Sequence, residues 1–289
     1  MKLGWLVNLL LAIGVVGLGV YAFHKNKEPK EPSFKLSQLS AAAANKIVVE
    51  SRARGAYTLE KRGELWFLTE PMQARADQTQ VQRILDLLSA SSKEKLNATQ
   101  LERFELLTPS LKVTIDGQAF AFGTSNPLTQ EQYVATTDGV YLLSAYFGSL
   151  APTQADRMLT HRLLSEGETP VGFTFKGFNV TQKDGKWTLA PPPAQEQDRP
   201  SQDDLNRWAD DWRFASSLAT QTWSGKPPAE TVQVKLADGK TIAIAVVQKA
   251  PELILARPDE KLQFHFSGES GRRLMQPEPS KDKHGAGAS

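Results

Sequence analysis

Two stretches of this chain repeat one another at long range, and that repetition limits the folds open to it. Leu59–Leu68 carries Gly63 and Trp66 and leads to Pro71 and then to a helix start. Val180–Leu189 carries Gly185 and Trp187 and leads to Pro191 and a helix start of the same kind. Trp66 and Trp187 lie 121 positions apart. A self-similarity of such long period describes one unit written twice rather than a short-repeat solenoid.

Downstream landmarks keep nearly the same offset. Val81, Ile84, Leu85 and Leu88 stand at i, i+3, i+4 and i+7, which places one apolar stripe on a helix. Leu205, Trp208, Ala209 and Trp212 stand at the same four spacings. Asp77 is placed to cap the first helix, and Ser201 with Asp204 three residues later forms a capping-box pattern before the second. Each copy then shows a hairpin. Val113–Phe120 alternates around Asp116-Gly117, and Val232–Ile244 alternates around Asp238-Gly239. An Asp-Gly pair accepts the positive φ of a type I′ turn, so a tight reversal is expected at both. A second pair of strands follows: Tyr133–Ala135 with Val140–Leu143, matched by Leu253–Leu255 with Leu262–Phe266.

Strand, turn, strand, helix and then hairpins, with one helix per copy, predicts an α+β protein. Each antiparallel sheet is covered on one face by its helix. Trp66 and Leu68, and Trp187 and Leu189, share strand faces by alternation and are expected in the cores beneath those helices. Residues 144–164 are expected to form helical turns closing the first copy, with Gly167-Glu168-Thr169-Pro170 as the joint. The expected organisation is an anchor at 1–24, a spacer at 25–44, repeats at 45–166 and 167–275, and a disordered tail at 276–289 rich in Pro, Lys, Gly and Ser.

Leu3 to Phe23 is almost wholly apolar, with Asn8 its one strongly polar member. As a helix rising about 1.5 Å per residue it would span roughly 30 Å, a bilayer's hydrocarbon thickness. Trp5 and Tyr21 sit near its ends, where such rings favour the membrane interface. The run exceeds the roughly 7–15-residue core of a cleaved signal peptide, so an uncleaved anchor is expected. Lys2 precedes it and Lys25, Lys27 and Lys30 come after it, so counting positive charges does not by itself export the carboxyl side. A single helix at the amino end nonetheless commonly exports the domains on its carboxyl side. The expected location is the bacterial inner membrane, single-pass, with the later domains in the periplasm. The absence of cysteine excludes lipid attachment through a thiol.

Chemistry is sparse. Of four histidines, His24, His161, His265 and His284, none pairs at metal-ligand spacing. No nucleophile elbow, phosphate loop or dinucleotide fingerprint is present. Asp203, Asp204, Asp210 and Asp211 cluster on the second helix and could do acid–base work only if two of them converged in a cleft; a solvated helix face is the plainer reading. Arg272-Arg273 reads as surface charge. The sequence therefore singles out no catalytic, cofactor-binding or metal residue, and a net charge of +2 without a basic cluster gives no reason to expect nucleic acid.

Trp66-Phe67-Leu68 before Pro71, then Ala76-Asp77, then Val81, Ile84, Leu85 and Leu88, resembles the uncharacterised bacterial family catalogued as domain of unknown function 4340. The second copy departs from that pattern through Pro191-Pro192-Pro193 and through Asp198-Arg199 where Ala-Asp is expected. The resemblance implies an amino-terminal membrane helix followed by such units, in some members alongside ABC-type transporter or gliding-motility components, and it brings no catalytic residues. The expected function is a non-enzymatic, membrane-anchored binding or scaffold protein with a protein partner in the envelope. Close helix approach through Gly4, Gly14, Gly17 and Gly19, and open sheet edges, are the features that fit it. The alternative is an extracytoplasmic carboxylate-dependent enzyme acting on a glycan or peptide.

Overall fold

Asp-Gly turns, apolar alternation and two capped helices organise the computed structural model, which describes residues 3–25, 33–97 and 101–279. Helix α1 is Leu3–Lys25. Strand β1 (Phe34–Lys35) follows, then β2 (Lys46–Ser51), β3 (Gly55–Arg62), β4 (Leu65–Glu70), β5 (Ala74–Arg75), helix α2 (Gln78–Leu85), β6 (Ser91–Ser92) and β7 (Lys95–Leu96). The first half ends with β8 (Leu111–Ile115), β9 (Gln118–Ser125), β10 (Glu131–Thr136) and β11 (Gly139–Ser144). The second half holds β12 (Pro170–Thr174), β13 (Asn179–Lys183), β14 (Lys186–Ala190), helix α3 (Gln202–Arg213) and β15 (Ala219–Thr222). It closes with β16 (Glu230–Leu236), β17 (Thr241–Gln248), β18 (Leu253–Arg257), β19 (Leu262–Phe266) and helix α4 (Gly268–Met275).

Among the described residues the strands form two large sheets and the small pair β1–β6, all antiparallel. One large sheet runs β5-β4-β3-β2-β8-β9-β10-β11-β7 and the other β14-β13-β12-β16-β17-β18-β19-β15. Side by side, the orders are the same once β5 is set aside. The register also slips in the same place, between β9 and β10 in one sheet and between β17 and β18 in the other.

Local chemistry explains the turns. Asp116 and Gly117 both take positive φ, +44° and +87°, as a two-residue I′ reversal demands. The Asp116 carboxylate also accepts from the backbone N–H groups of Asn45 and Lys46, tying that turn to β2. Asp238-Gly239 differs from expectation. Only Gly239 takes positive φ, and Leu236 N–H donates to the Lys240 carbonyl, so the turn spans three residues with glycine at the left-handed position.

Each helix buries the stripe its spacing defines. Val81, Ile84 and Leu85 of α2 and Leu88 just beyond it are buried, as are Leu205, Trp208, Ala209 and Trp212 of α3. Asp77 accepts from the N–H groups of Thr79 and Gln80, and Ser201 and Asp204 complete a capping box, satisfying donors that would otherwise be orphaned at each amino end. Trp66 and Trp187 are core residues. Trp187 stands 5.9 Å from Phe173, whose ring also meets Trp208 at 4.7 Å and Trp212 at 5.3 Å.

Helix α4 lies outside the sequence expectation. It is held because the indole N–H groups of Trp208 and Trp212 both donate to the Leu274 carbonyl, at 3.1 and 2.8 Å. Gly271 lets it close on β18, since a Cβ there would stand 2.5 Å from Leu253 Cβ.

The remaining sequence expectations meet the structure in different ways. The spacer at 25–44 divides: residues 26–32 lie outside the described residues, while from Phe34 the chain joins the first unit through β1, and Leu36 and Ala44 enter the core. The segment 144–164 forms the helical turns expected of it, the 3-10 turns Phe147–Ser149 and Ala155–Met158, and its end also bridges to other segments through Leu159 to Ala76 and Arg162 to Ser216. Of the tail, residues 276–279 are described without helix or strand and 280–289 lie outside the described residues. For α1, the described side chains from Leu10 to Tyr21 are all exposed. Among the described residues no helix is long and apolar enough to cross a membrane.

Candidate functional site

The joint between the two units is the most elaborated polar site of the molecule. Strand β18 reads Leu253-Ile254-Leu255-Ala256 and then ends on Arg257, which is 2% exposed. An isolated buried guanidinium would be severely destabilising, so its partners decide whether the strand can end this way. Arg257 donates to both carboxylate oxygens of Glu168 at 2.9 and 3.0 Å, to Asp259 at 2.7 and 3.0 Å, and to the Leu163 carbonyl at 3.0 Å. Glu168 comes from the predicted joint, and its carboxylate also accepts from Ser165 N–H at 2.8 Å. Arg75 of β5, from the first unit, reaches across to Glu260 with two bonds of 2.7 and 2.9 Å and donates to the carbonyls of Arg162 and Leu163. Glu260 also lies 3.3 Å from Arg257. Two arginines from two sheets thus share three carboxylates and the connector's backbone.

The protonation states derive from this geometry. Burial by itself would raise the Glu168 and Asp259 carboxyls, but the hydrogen bonds and charge of Arg257 outweigh it and hold both below the usual carboxylate range. Burial would likewise lower Arg257, and its bonds to Asp259 and Glu168 more than offset that, so the guanidinium stays charged.

Two cavities flank this cluster and share Leu65, Arg75 and Ser165. The smaller, about 350 Å³, is polar and includes Asp77, Thr79, His161, Arg162 and Glu166. The larger, about 660 Å³, has an apolar wall of Phe67, Met72 and Trp223 with Arg62 and Lys261 on it. Its size falls within the roughly 300–1,000 Å³ typical of small-molecule sites.

The residues weighed from sequence take other places. Asp203 and Asp210 are exposed and Asp211 is half-buried. Asp204 is buried because it accepts from Ser201 N–H and Oγ at 2.9 and 2.6 Å, which commits it to capping. The helix thus turns Asp203 and Asp204 to different surroundings and brings no two of the four into a shared cleft. His161 Nδ1 lies 3.1 Å from the Ser217 carbonyl, and His265 Nδ1 lies 3.2 Å from Glu252. The side chain of His24, and His284 entirely, lie outside the described residues. Arg272 and Arg273 are exposed on α4. Sequence reasoning missed the Arg257 cluster, although a charged residue ending an apolar strand was a visible signal.

One device recurs in both units. Gln78, the first residue of α2, accepts from Trp66 N–H at 2.9 Å and donates to the Trp66 carbonyl at 3.1 Å. Gln202, the first residue of α3, makes the same pair with Trp187 at 3.0 and 3.3 Å when its amide is oriented to satisfy that network. Each helix is therefore stitched at its first turn to the edge of the tryptophan strand.

No curated protein and no solved structure matches the chain. The family described as "Domain of unknown function (DUF4340)" matches residues 66–232, from β4 through α3 into β16, which is more than half of the chain. With the Trp66 strand, both capped helices and the connector that carries Glu168 inside that span, the chain belongs to the DUF4340 family.

Proposed function

We propose that this protein is a non-enzymatic, membrane-tethered scaffold. Its two related α+β units, tandem copies of one ancestral unit, present a fixed surface to a protein of the bacterial envelope such as a subunit of an ABC-type transporter. The observation that carries the reading is α1, whose described side chains Leu10, Leu11, Ile13, Val15, Val16, Leu18 and Val20 are all exposed. Apolar surface of that extent is unfavourable in water and is relieved by lipid. In this reading α1 is the single pass and the later units lie in the periplasm. The arginine–carboxylate joint supports the scaffold part, since it would hold the units in one orientation.

The test separates tether from partner. The full chain should stay with membranes after alkaline carbonate washing, and a Leu11→Arg, Val15→Arg, Leu18→Arg variant should be released. Photo-crosslinkers at the exposed Leu128 and Leu218 in native membranes should yield an adduct with an integral transporter subunit. Carbonate release of the unmodified chain would remove the tether, and crosslinking only between copies of this chain would remove the partner.

A further inference from the structure

The larger cavity at the joint carries an assignment beyond scaffolding. Its floor and walls come from both units: Phe67 and Met72 from the first, Trp223 and Leu262 from the second. The charges around it are not equally occupied. Glu168, Asp259 and Glu260 are each engaged by Arg257 or Arg75. Lys261 takes a left-handed backbone (φ +56°), and its ammonium has no partner among the described residues. Arg62 spends one nitrogen on Gln73 Oε1, at 2.9 Å, and leans over the Phe67 ring at 5.4 Å, leaving further N–H groups unspent. The indole Nε1 of Trp223 is buried without a hydrogen-bond partner among the described residues. A buried donor left unmet costs about 1–3 kcal/mol, so this wall is where the chain does not complete its own hydrogen bonding. The charged groups left over, Lys261 and Arg62, are both exposed at the cavity's rim and both donors, beside an aromatic and thioether surface.

We propose that this cavity binds a small amphipathic carboxylate. Its apolar body lies against Phe67, Met72 and Trp223, and its anionic head is held by Lys261 and Arg62. The carboxylates are already engaged by the arginines and leave no free anion for a cationic ligand, while a neutral molecule would forgo the charge of Lys261 and Arg62. The site does not depend on the membrane or partner assignments above, because it requires only the joint between the two units.

The test uses the full chain in detergent micelles and 2-naphthoate as probe, with free probe measured by equilibrium dialysis. The ¹⁵N–¹H indole resonance missing from Trp223→Phe identifies Trp223 in the spectrum. Titration with 2-naphthoate should move that resonance saturably. Lys261→Ala should weaken binding at least fivefold, Lys261→Arg should restore most of it, and Lys249→Ala, which sits on the Glu230 ion pair elsewhere, should leave it unchanged. 2-Naphthalenemethanol, the neutral counterpart, should bind at least tenfold more weakly. A Trp223 resonance that does not respond would overturn the site. Equal binding by Lys261→Ala, or by the alcohol, would overturn the anionic ligand.

Discussion

Arg257 shows how one residue sets conditions for its neighbours. Removing it leaves Glu168 and Asp259 without their shared partner, and because Asp259 is half-exposed the cost should fall below the about 3–5 kcal/mol typical of a fully buried pair. The pH dependence carries a sign that identifies the cause. In the folded chain the two carboxyls lie below their usual range, so their contribution is complete above the unfolded values near 4 and is lost as pH falls through the folded values. In Arg257→Met the unpaired carboxyls should instead be raised, so stability should fall as pH rises through them. Thermal melts from pH 4 to 8 should therefore show a variant most impaired at neutral pH and recovering part of its deficit near pH 4–5. A pH-independent deficit would mean that packing rather than charge is at work. The tryptophans belong to the same scale. Trp66→Ala and Trp187→Ala should each cost about 3–5 kcal/mol by opening core cavities, read by denaturant melts, whereas wild-type stability in both would make them surface residues.

Elements were legible wherever periodicity or turn chemistry dominates. Both helix stripes were written at i, i+3, i+4 and i+7, and every stripe residue is buried. The Asp116-Gly117 reversal follows from backbone sterics alone. Short elements were not legible. Strands β1, β5, β6 and β7 have two residues each, too few to show alternation, and exist because tertiary neighbours offer them partners. Helix α4 escaped because its reason is remote in sequence: the Leu274 carbonyl answers two indoles some 60 residues earlier. The joint escaped for a related reason, since Arg75, Glu168 and Arg257 meet only after both sheets form. The glutamine stitch predicts an element-scale effect. Gln78→Leu and Gln202→Leu should each cost about 1–2 kcal/mol by leaving the Trp66 or Trp187 N–H unpaired; the Trp66 carbonyl keeps its bond from Ala76 N–H. Amide exchange should quicken at Trp66 or Trp187 before it does in the sheet interior. Uniform quickening across the sheet would show that the stitch matters to global stability only.

At the scale of the whole molecule, the proposal separates a lipid-facing helix from a folded body. A chain beginning at Pro29 should remain folded and leave the membrane fraction, with a melt matching that of the full chain. Aggregation of that shorter chain would show that α1 packs on the body. The recurrence of one α+β unit was expected from the long period, but the strand order within each sheet, the added β5 and the relation between the sheets were not. That relation depends on side-chain reach across the joint, which no periodicity encodes.

The left-handed turn after β18 places Asp259, Glu260 and Lys261 on three successive residues with three different duties: gripping the strand's own arginine, gripping the other unit's arginine, and facing the cavity. A single insertion or deletion there would reassign all of them at once. Lys261 has no ion-pair partner among the described residues, so its replacement alone would change the cavity's charge without disturbing how the halves are clasped.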